Sequence, residues 1–391
     1  MTLRPVLARP VLVRPVLVRP VLVGRPRTTL RAALRTAAAK LLASTLLAGP
    51  LVACAPGPAG LRVVRCTDTR HDAVLMQAVI DSSAPTDEIR FDGPCLVDTT
   101  VTLLGGRHYR GASAATTLTE LAGSDLDAVL ASDSWVHDHR TTGDPITLED
   151  LTVEVDRSGN PASGSGVVIR SWSTAVRRLT IRDAGRDGLL VTSLSAHGTP
   201  LDNTEVNGTI SQVSVTGSGR DGIRVEDPGN SVTDWNLLDS RVADSGSDGI
   251  RLDNAAGWSV ERSSVIGSGG VGIRADRLYA TSINHNEVRD FGADGIDVTM
   301  QGGAASTVDA NSVSGPRSIA GTGIAVLGVN YGAGQLAVRA NEITGRSTRA
   351  GVGLSYEAGR HRLTVLSTAN LVLATGRARV SGVGVTVVDG S

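Results

Sequence analysis

The sequence predicts an all-β solenoid built from parallel strands, and two observations lead to that prediction. A short phrase recurs in the second half of the chain, as in GRDGIRV (219–225), GSDGIRL (246–252) and GADGIDV (292–298). After each glycine the residues alternate between apolar and polar, which is the period of a strand with one buried face. A repeat of about two dozen residues that supplies one such strand is typical of a solenoid coil.

The repeated glycine marks the start of each predicted coil. The longest step, from Gly188 to Gly222, contains the insertion SLSAHGTPLDNTEVN (193–207), which we expect to form a surface loop. The full series is Gly166, Gly188, Gly222, Gly249, Gly272, Gly295, Gly323, Gly353 and Gly384.

Two further columns of polar residues repeat in phase with the glycines. Stacked Ser and Asn side chains at a bend can hydrogen-bond to the coils above and below, so we interpret the first column as a structural ladder. An Asp before the glycine accepts backbone N–H bonds at a turn, and we expect the glycine after it to have positive φ. The first column is Ser240, Ser263, Asn286, Asn311, Asn341 and Asn370, and the second is Asp187, Asp221, Asp248 and Asp294.

From about residue 60 to residue 391, these features resemble the right-handed parallel β-helix proteins of the pectate-lyase superfamily. The segment HDAVLMQAVIDSS (71–83), followed by EIRFDGPCLV (88–97), is similar to the cap that opens many such helices. The resemblance implies a single-stranded right-handed parallel β-helix solenoid with an N-terminal capping helix. The superfamily includes lyases, hydrolases, epimerases and inert adhesive shafts, so the fold alone does not decide the activity. The expected apolar stripe of the capping helix is Ala73, Met76, Ala78, Val79 and Ile80.

The first 53 residues have the composition of an export signal. They contain nine basic residues and no acidic one, and the apolar stretch 41–54 is too short to span a membrane. The end of this stretch, Leu51-Val52-Ala53-Cys54, resembles a bacterial lipobox. This implies lipidation of Cys54 and an anchor at the outer face of the cytoplasmic membrane, with ordinary secretion as the alternative.

The predicted organisation has four parts. A signal peptide with RPVLV repeats occupies residues 1–53, a short linker 54–60, the cap and first coils 61–115, and the β-helix repeats 116–391. Without the signal's nine basic residues, 29 of the 38 remain against 39 acidic ones, a net charge of −10 that disfavours nucleic acid as a partner.

Cys66 and Cys95 flank the predicted capping helix, and an exported pair of this kind usually closes a disulfide.

The outward positions of the repeated strands form a candidate carbohydrate groove. In the functional interpretation, arginines bind substrate carboxylates, while the acidic residues act as acid and base or bind Ca²⁺. In the alternative interpretation, opposite charges alternate across a solvated sheet face for solubility and cross-strand pairing. The candidate substrate-binding residues are Arg224, Arg251 and Arg274, and the candidate catalytic carboxylates are Glu226, Asp253, Asp276 and Asp297.

Two predicted loops supply further candidates. The insertion carries His197, a possible catalytic residue, with Asp202 and Glu205, and any of the three could overhang the acidic patch one coil away. The segment SWVHDHR (134–140) is similar to the Trp-x-Asp-His phrase of pectate lyases with an inserted His. In it, Trp135 could stack on a sugar.

The histidines of this segment, His137 and His139, could act as a base or, if they share one face of a strand, contact a metal. A polar loop without such a function is the alternative.

The leading hypothesis is a cell-envelope carbohydrate-active protein. It would be a polysaccharide lyase, hydrolase or epimerase that acts on an acidic, for example uronate-containing, glycan in the groove, with Ca²⁺ as the one candidate cofactor. The alternative is a non-catalytic β-helix that binds glycan or has a structural role at the surface. We expect a monomer, because the acidic, glycine-rich surface offers no obvious apolar stripe.

Overall fold

The structure is a computed structural model that describes residues 60–113, 115–318, 320–328 and 332–390. These residues form a right-handed parallel β-solenoid of about 12 turns. The predicted signal peptide, the linker up to residue 59 and the proposed lipidation site Cys54 lie outside the described residues. Neither described helix combines the length and the apolar run that crossing a bilayer requires.

Each coil passes through three parallel sheets, which we call A, B and C in the order in which the chain enters them. Sheet A consists of Leu61–Arg65, Glu88–Asp92, His108–Gly111, Thr147–Glu149, Ala175–Arg177, Thr209–Ser211, Asn236–Leu238, Ser259–Glu261, Ser282–Asn284, Ser306–Asp309, Gly334–Arg339, Leu363–Thr368 and Val385–Val388. Sheet B consists of Pro94–Val97, Thr117–Glu120, Thr152–Glu154, Thr180–Arg182, Ser214–Thr216, Arg241–Ala243, Ser264–Ile266, Glu287–Arg289, Ser312–Ser314, Glu342–Thr344 and Leu371–Leu373. Sheet C consists of Val101–Leu103, Ala128–Ser132, Ser165–Ile169, Leu189–Thr192, Ile223–Glu226, Ile250–Leu252, Ile273–Leu278, Ile296–Met300, Thr322–Gly328, Val352–Glu357 and Arg377–Ser381.

Three smaller elements complete the described chain. Helix α1 spans Asp72–Asp81, and the single-turn helix α2 spans Asp133–Val136. A two-stranded ribbon pairs Glu205–Val206 with Val232–Thr233.

The repeated glycines are needed for space and not for a positive φ. The five from Gly188 to Gly295 all lie outside the positive-φ region, so our prediction for the residue after Asp was wrong. A Cβ on Gly272 would lie 2.2 Å from Cγ1 of Val288 in sheet B and 2.5 Å from the carbonyl oxygen of Gly295 in the next coil. The absence of a side chain therefore lets sheet C approach sheet B.

The glycine column ends one coil earlier than predicted. Val352 and Leu354, on either side of Gly353, pair with Arg377 and Arg379 in the last strand of sheet C. Gly384 instead has a φ of 82° and precedes the last strand of sheet A. It therefore belongs to a different turn from the other members of the series.

Positive φ occurs at the bend between sheets A and B, directly before the Ser and Asn ladder. There Arg262, His285 and Ala310 have φ values of 51°, 59° and 53°. The residue that follows each of them points inward, into the ladder.

The ladder itself is confirmed. The backbone N–H of Asn286 donates to Oδ1 of Asn311 at 2.9 Å, and its side-chain amide donates to the carbonyl of Val260 at 2.9 Å. The same pattern continues to Asn341 and Asn370, so each amide satisfies backbone groups of neighbouring coils.

The aspartates before the glycines form a second, buried ladder. Oδ1 of Asp187 accepts the backbone N–H of Asp221 at 3.2 Å, and Oδ1 of Asp221 accepts that of Asp248 at 2.9 Å. Asp248 in turn accepts the N–H of Val271 at 2.8 Å, which confirms the structural interpretation of this column. Within the described residues, no group of three or more His, Cys, Asp or Glu side chains is arranged to hold a metal ion.

The first coil is closed by α1 and by the predicted disulfide between Cys66 and Cys95, which the structure contains. Ala73, Met76 and Ile80 are buried against the first coils, as expected. Ala78 is exposed, which corrects its place in the predicted stripe.

The opposite end of the solenoid is more open. Leu371, Leu373 and Val388 in its last strands are 51%, 45% and 46% exposed.

We predict that Gly272→Ala will lower the free energy of unfolding by about 3 kcal/mol, at the upper end of the usual cost of overpacking, because the new methyl group collides with Val288 and with backbone of the next coil. Gly303→Ala is the matched control, since its Cβ meets only one atom, at 4.0 Å, and its effect should stay within about 1 kcal/mol. Chemical denaturation of both variants measures the difference. Equal effects would show that the glycine column does not limit the packing of the sheets.

Candidate functional site

A row of charged side chains covers the outward face of sheet C in its central coils. Arg224, Arg251 and Arg274 lie in direct register, and Asp297 continues the row in the next coil. Adjacent members are therefore about 4.8 Å apart along the solenoid axis. This register was predicted from the sequence. We call these four residues, together with Glu226, Asp253 and Asp276, the charged face.

The Arg224 guanidinium is nearly buried and engages three carboxylates. Its Nη1 lies 3.2 Å from Asp221, and its Nη2 lies 3.3 Å from Glu226 and 3.4 Å from Asp253. Arg251 Nε approaches the other oxygen of Asp253 at 2.8 Å. Asp253 is thus held between two arginines of neighbouring coils.

Arg274 is shared in a similar way. Its Nε lies 2.9 Å from the buried Asp248, and its Nη1 lies 3.8 Å from Asp297. All three arginines of the charged face are therefore paired with carboxylates of the protein itself.

Two carboxyl groups of the charged face have raised pKa values. Burial raises the pKa of Asp297 to about 6, an effect that Arg274 opposes and that neighbouring carboxylates reinforce. Burial also raises the pKa of Asp276, while a hydrogen bond from Thr299 favours its ionised form. At mildly acidic pH, Asp297 is therefore partly protonated.

A β-bulge places Asp276 differently from the other members of the face. The register between this strand and the next one shifts between Ala275 and Leu278, and Arg277 has a φ of 61°. The Thr299 hydroxyl donates to Oδ1 of Asp276 at 3.2 Å and accepts the N–H of Arg277 at 2.9 Å. Bulges are frequent beside active sites, where they redirect a side chain.

A second cluster, which we call the loop cluster, consists of residues 133–143 and 193–204. In it, Trp135 and Val136 pack on the outward-facing side chains of Val168 and Leu190 in the early strands of sheet C. Part of the Trp135 ring therefore covers this apolar surface of sheet C. Since Leu190 is in register with Arg224, the loop cluster ends one strand from the charged face.

The two loops contact each other through polar side chains. Nδ1 of His197 lies 2.6 Å from Oδ2 of Asp138, and the Ser195 hydroxyl donates to the other oxygen of that carboxylate. The Ser195 hydrogen bond is the main reason why the pKa of Asp138 is lowered. Arg140 and Asp202 form a further ion pair at 2.7 Å.

The contacts of His197 and Asp202 are thus with the SWVHDHR segment, and not with the acidic residues of the charged face. The meeting of these two segments could not be predicted from the sequence, because Asp138 and His197 are 59 positions apart in the chain.

Arg170 donates hydrogen bonds to both loops of the loop cluster. Its fully buried guanidinium donates to the carbonyls of Ser134 and His139 in one loop, at 2.7 and 2.6 Å, and to that of Thr199 in the other at 3.0 Å. Glu205 is also completely buried, and burial raises its pKa well above the usual range. Glu205 therefore does not overhang the acidic patch, which was one of our expectations.

The two histidines of the loop cluster do not lie on a strand. Helix α2 ends at Val136, and both His137 and His139 follow it as exposed residues with ring centres 5.8 Å apart. The expectation that the two histidines lie on one face of a strand, where they could contact a metal together, was therefore wrong.

Residues 165–343 match the family model described as a right handed beta helix region. The chain resembles the Dettilon tailspike protein with a TM-score of 0.59 at 13% identity, over 84% of this chain and 69% of that one. It resembles the Agl-KA catalytic domain with a TM-score of 0.55 at 11% identity, over 85% of this chain and 69% of that one. Among curated proteins, none matches the sequence. At these identities the likeness establishes the shared fold and nothing more.

We predict that Arg170→Met will loosen the loop cluster, because three carbonyl groups, one buried and two partly buried, lose a charged donor, at a cost of about 2–5 kcal/mol. Hydrogen exchange should accelerate in residues 134–140 and 193–203, while the coils after Gly222 keep their protection. Arg186→Met, which changes an exposed arginine of the same region, is the control. Unchanged exchange in both loops of Arg170→Met would contradict this role.

Proposed function

We propose that the chain is a carbohydrate-active protein that holds a glycan on the charged face of sheet C and cleaves a glycosidic bond there by hydrolysis. The observation that carries the proposal is the set of partly exposed carboxylates that three successive coils contribute to the charged face, namely Asp253, Asp276 and Asp297. Glycoside hydrolysis uses two carboxyl groups, one as proton donor and one ionised. The Agl-KA catalytic domain, by its name an enzyme, supports a catalytic role for this type of solenoid.

The surroundings of the two carboxyl groups favour distinct roles. Asp297 is the proton donor in this proposal, because its raised pKa of about 6 keeps it partly protonated at mildly acidic pH. Asp276 is the ionised partner in this proposal, because the Thr299 hydroxyl donates a hydrogen bond to its carboxylate and so opposes the burial that raises its pKa. The bulge that places Asp276 belongs to the same site.

The charge balance favours a neutral glycan over a uronate-rich one. The three arginines of the charged face are all paired, and more carboxylates than guanidinium groups surround them. A polyanionic substrate would meet net repulsion here unless cations intervened. This argument revises the acidic substrate that the sequence suggested.

A second candidate function is glycan binding without catalysis. The pairing of every arginine on the charged face favours it, because alternating charges also occur on purely structural sheet surfaces. The two functions differ in one observable, the appearance of new reducing ends.

Export through residues 1–53, lipidation of Cys54 and a monomeric state remain proposals from the sequence. Mass spectrometry of the mature amino terminus from a bacterial envelope fraction tests the first two, and sedimentation tests the third. A diacylated cysteine would support the anchor, whereas an unmodified terminus would favour secretion.

The activity test is incubation with neutral and uronate-containing polysaccharides, with and without calcium, while reducing ends and ultraviolet absorbance are followed. The proposal predicts reducing ends without the absorbance of an unsaturated uronate. Absorbance would indicate β-elimination instead. If no polysaccharide yields reducing ends or ultraviolet absorbance, the result favours the binding function.

We predict that Asp297→Asn will reduce the rate of hydrolysis by about a hundredfold or more, because the proton donor is lost. The same change should stabilise the fold at about pH 7.5 by up to about 3 kcal/mol, since a pKa raised from 3.8 to about 6 means that ionisation costs the native state free energy. This cost is absent well below the unfolded pKa of 3.8, grows between the two pKa values and is complete above the folded pKa of about 6. The gain should therefore vanish near pH 4, which thermal unfolding at several pH values measures.

Glu120→Gln is the matched control for this experiment. Burial raises the pKa of Glu120 to about 7, and one of its oxygens accepts the N–H of Leu126, but the residue lies at the end of a sheet B strand away from the charged face. Glu120→Gln should therefore also be more stable than wild type at high pH, while its rate of hydrolysis should equal that of wild type. Full activity in Asp297→Asn would remove Asp297 from the mechanism.

A further inference from the structure

A cleft of about 360 Å³ lies where sheet C turns towards sheet A, directly after the bulged strand. Tyr279 borders this cleft and is 50% exposed. Tyr109 and Tyr356 are fully buried, so exposure is not a general property of the chain's tyrosines. The other lining residues are small or polar and include Asn230, Asp234, Ala256, Gly257, Ala280 and Gln301.

The backbone around Tyr279 is fixed although its ring is exposed. The carbonyl of Tyr279 accepts the N–H of Gly257 at 2.8 Å, and Ala256 forms a parallel bridge with Tyr279. A Cβ on Gly257 would collide with the Asp234 carboxylate, so this glycine leaves room for that carboxylate beside the cleft.

These features match what a sugar ring requires. The axial C–H groups of a hexopyranose pack on an aromatic face, and its hydroxyl groups bind amides and carboxylates placed around that face. Asn230, Asp234 and Gln301 supply such groups beside Tyr279. The small side chains of Ala256 and Ala280 do not compete with a ligand for the ring.

The cleft also lies within reach of the proposed catalytic residues. Tyr279 is three residues after Asp276, so their Cα atoms are at most roughly 10 Å apart. This separation suits neighbouring sugar units of one chain.

We propose that Tyr279 is the platform of a second sugar subsite, which binds a neutral hexopyranose next to the unit over Asp276 and Asp297. This inference rests on the proposed function. It implies that the glycan runs parallel to the strands of sheet C, from Asp276 towards the turn after Leu278, and not along the solenoid axis.

The test is affinity electrophoresis in gels that contain dextran, laminarin, pullulan, hydroxyethyl cellulose or polygalacturonate. We expect at least one of the neutral polysaccharides to retard the protein. Tyr279→Ala should weaken that retardation about tenfold in dissociation constant, and Tyr279→Phe should retain it, because the aromatic face and not the hydroxyl carries the contact. Trp172→Ala is the control, since Trp172 is 40% exposed in the turn after an earlier strand of sheet C.

Three results would overturn the subsite: equal retardation of Tyr279→Ala and wild type, equal losses in Tyr279→Ala and Trp172→Ala, or no retardation of the wild type by any neutral polysaccharide. Thermal unfolding of Tyr279→Ala verifies that the variant is folded.

Adding Asp297→Asn to the experiment separates the two proposals. If Tyr279→Ala loses the retardation but neither wild type nor Asp297→Asn releases reducing ends, the subsite proposal stands and the hydrolysis proposal fails. If wild type hydrolyses a polysaccharide and Tyr279→Ala is retarded normally, hydrolysis stands and the subsite fails.

Discussion

The close approach of sheets B and C along the glycine column determines the cross-section of the solenoid. Because a methyl group at Gly272 would meet both Val288 and the backbone of the next coil, sheet C can lie against sheet B only where this side chain is missing. The Asp ladder then satisfies backbone amides at the same turn, and the Ser and Asn ladder does so at the bend between sheets A and B. With the inward positions fixed in this way, the outward positions of sheet C align from coil to coil. The charged face is a consequence of that alignment.

The charged face has a structural role in the solenoid in addition to the chemical role that we propose for it. Asp221 and Asp248 serve the buried ladder and also pair with Arg224 and Arg274, so the guanidinium groups are anchored from beneath. The carboxylates above them are left more exposed and, at Asp297, shifted in pKa. If Asp297 is the proton donor of the proposed function, its position is set by strands and a rigid ladder and not by a flexible loop.

Much of this arrangement could be predicted from the sequence, because a solenoid converts local periodicity into lateral contact. The register of Arg224, Arg251, Arg274 and Asp297 and the ladder follow from residues whose spacing repeats. The disulfide was predicted on a different basis, from an exported pair of cysteines on either side of the capping helix. The bulge at Asp276 could not be predicted, because it breaks the alternation on which the prediction depends. The pairing of Asp138 with His197 also could not, since it joins two irregular loops whose conformations are set by the buried Arg170.

The two ends of the solenoid differ, and the difference gives the molecule a mechanical polarity. The amino-terminal coil is closed by α1 and a covalent bridge, whereas the last strands at the other end present half-exposed Leu371 and Leu373 with few neighbours to hold them. In a stack where each coil contacts only adjacent coils, the least supported one detaches first. A pulling force on the carboxyl-terminal end would therefore peel the coils off one at a time. The same force on the amino-terminal end would have to rupture a cross-linked unit before any coil could leave.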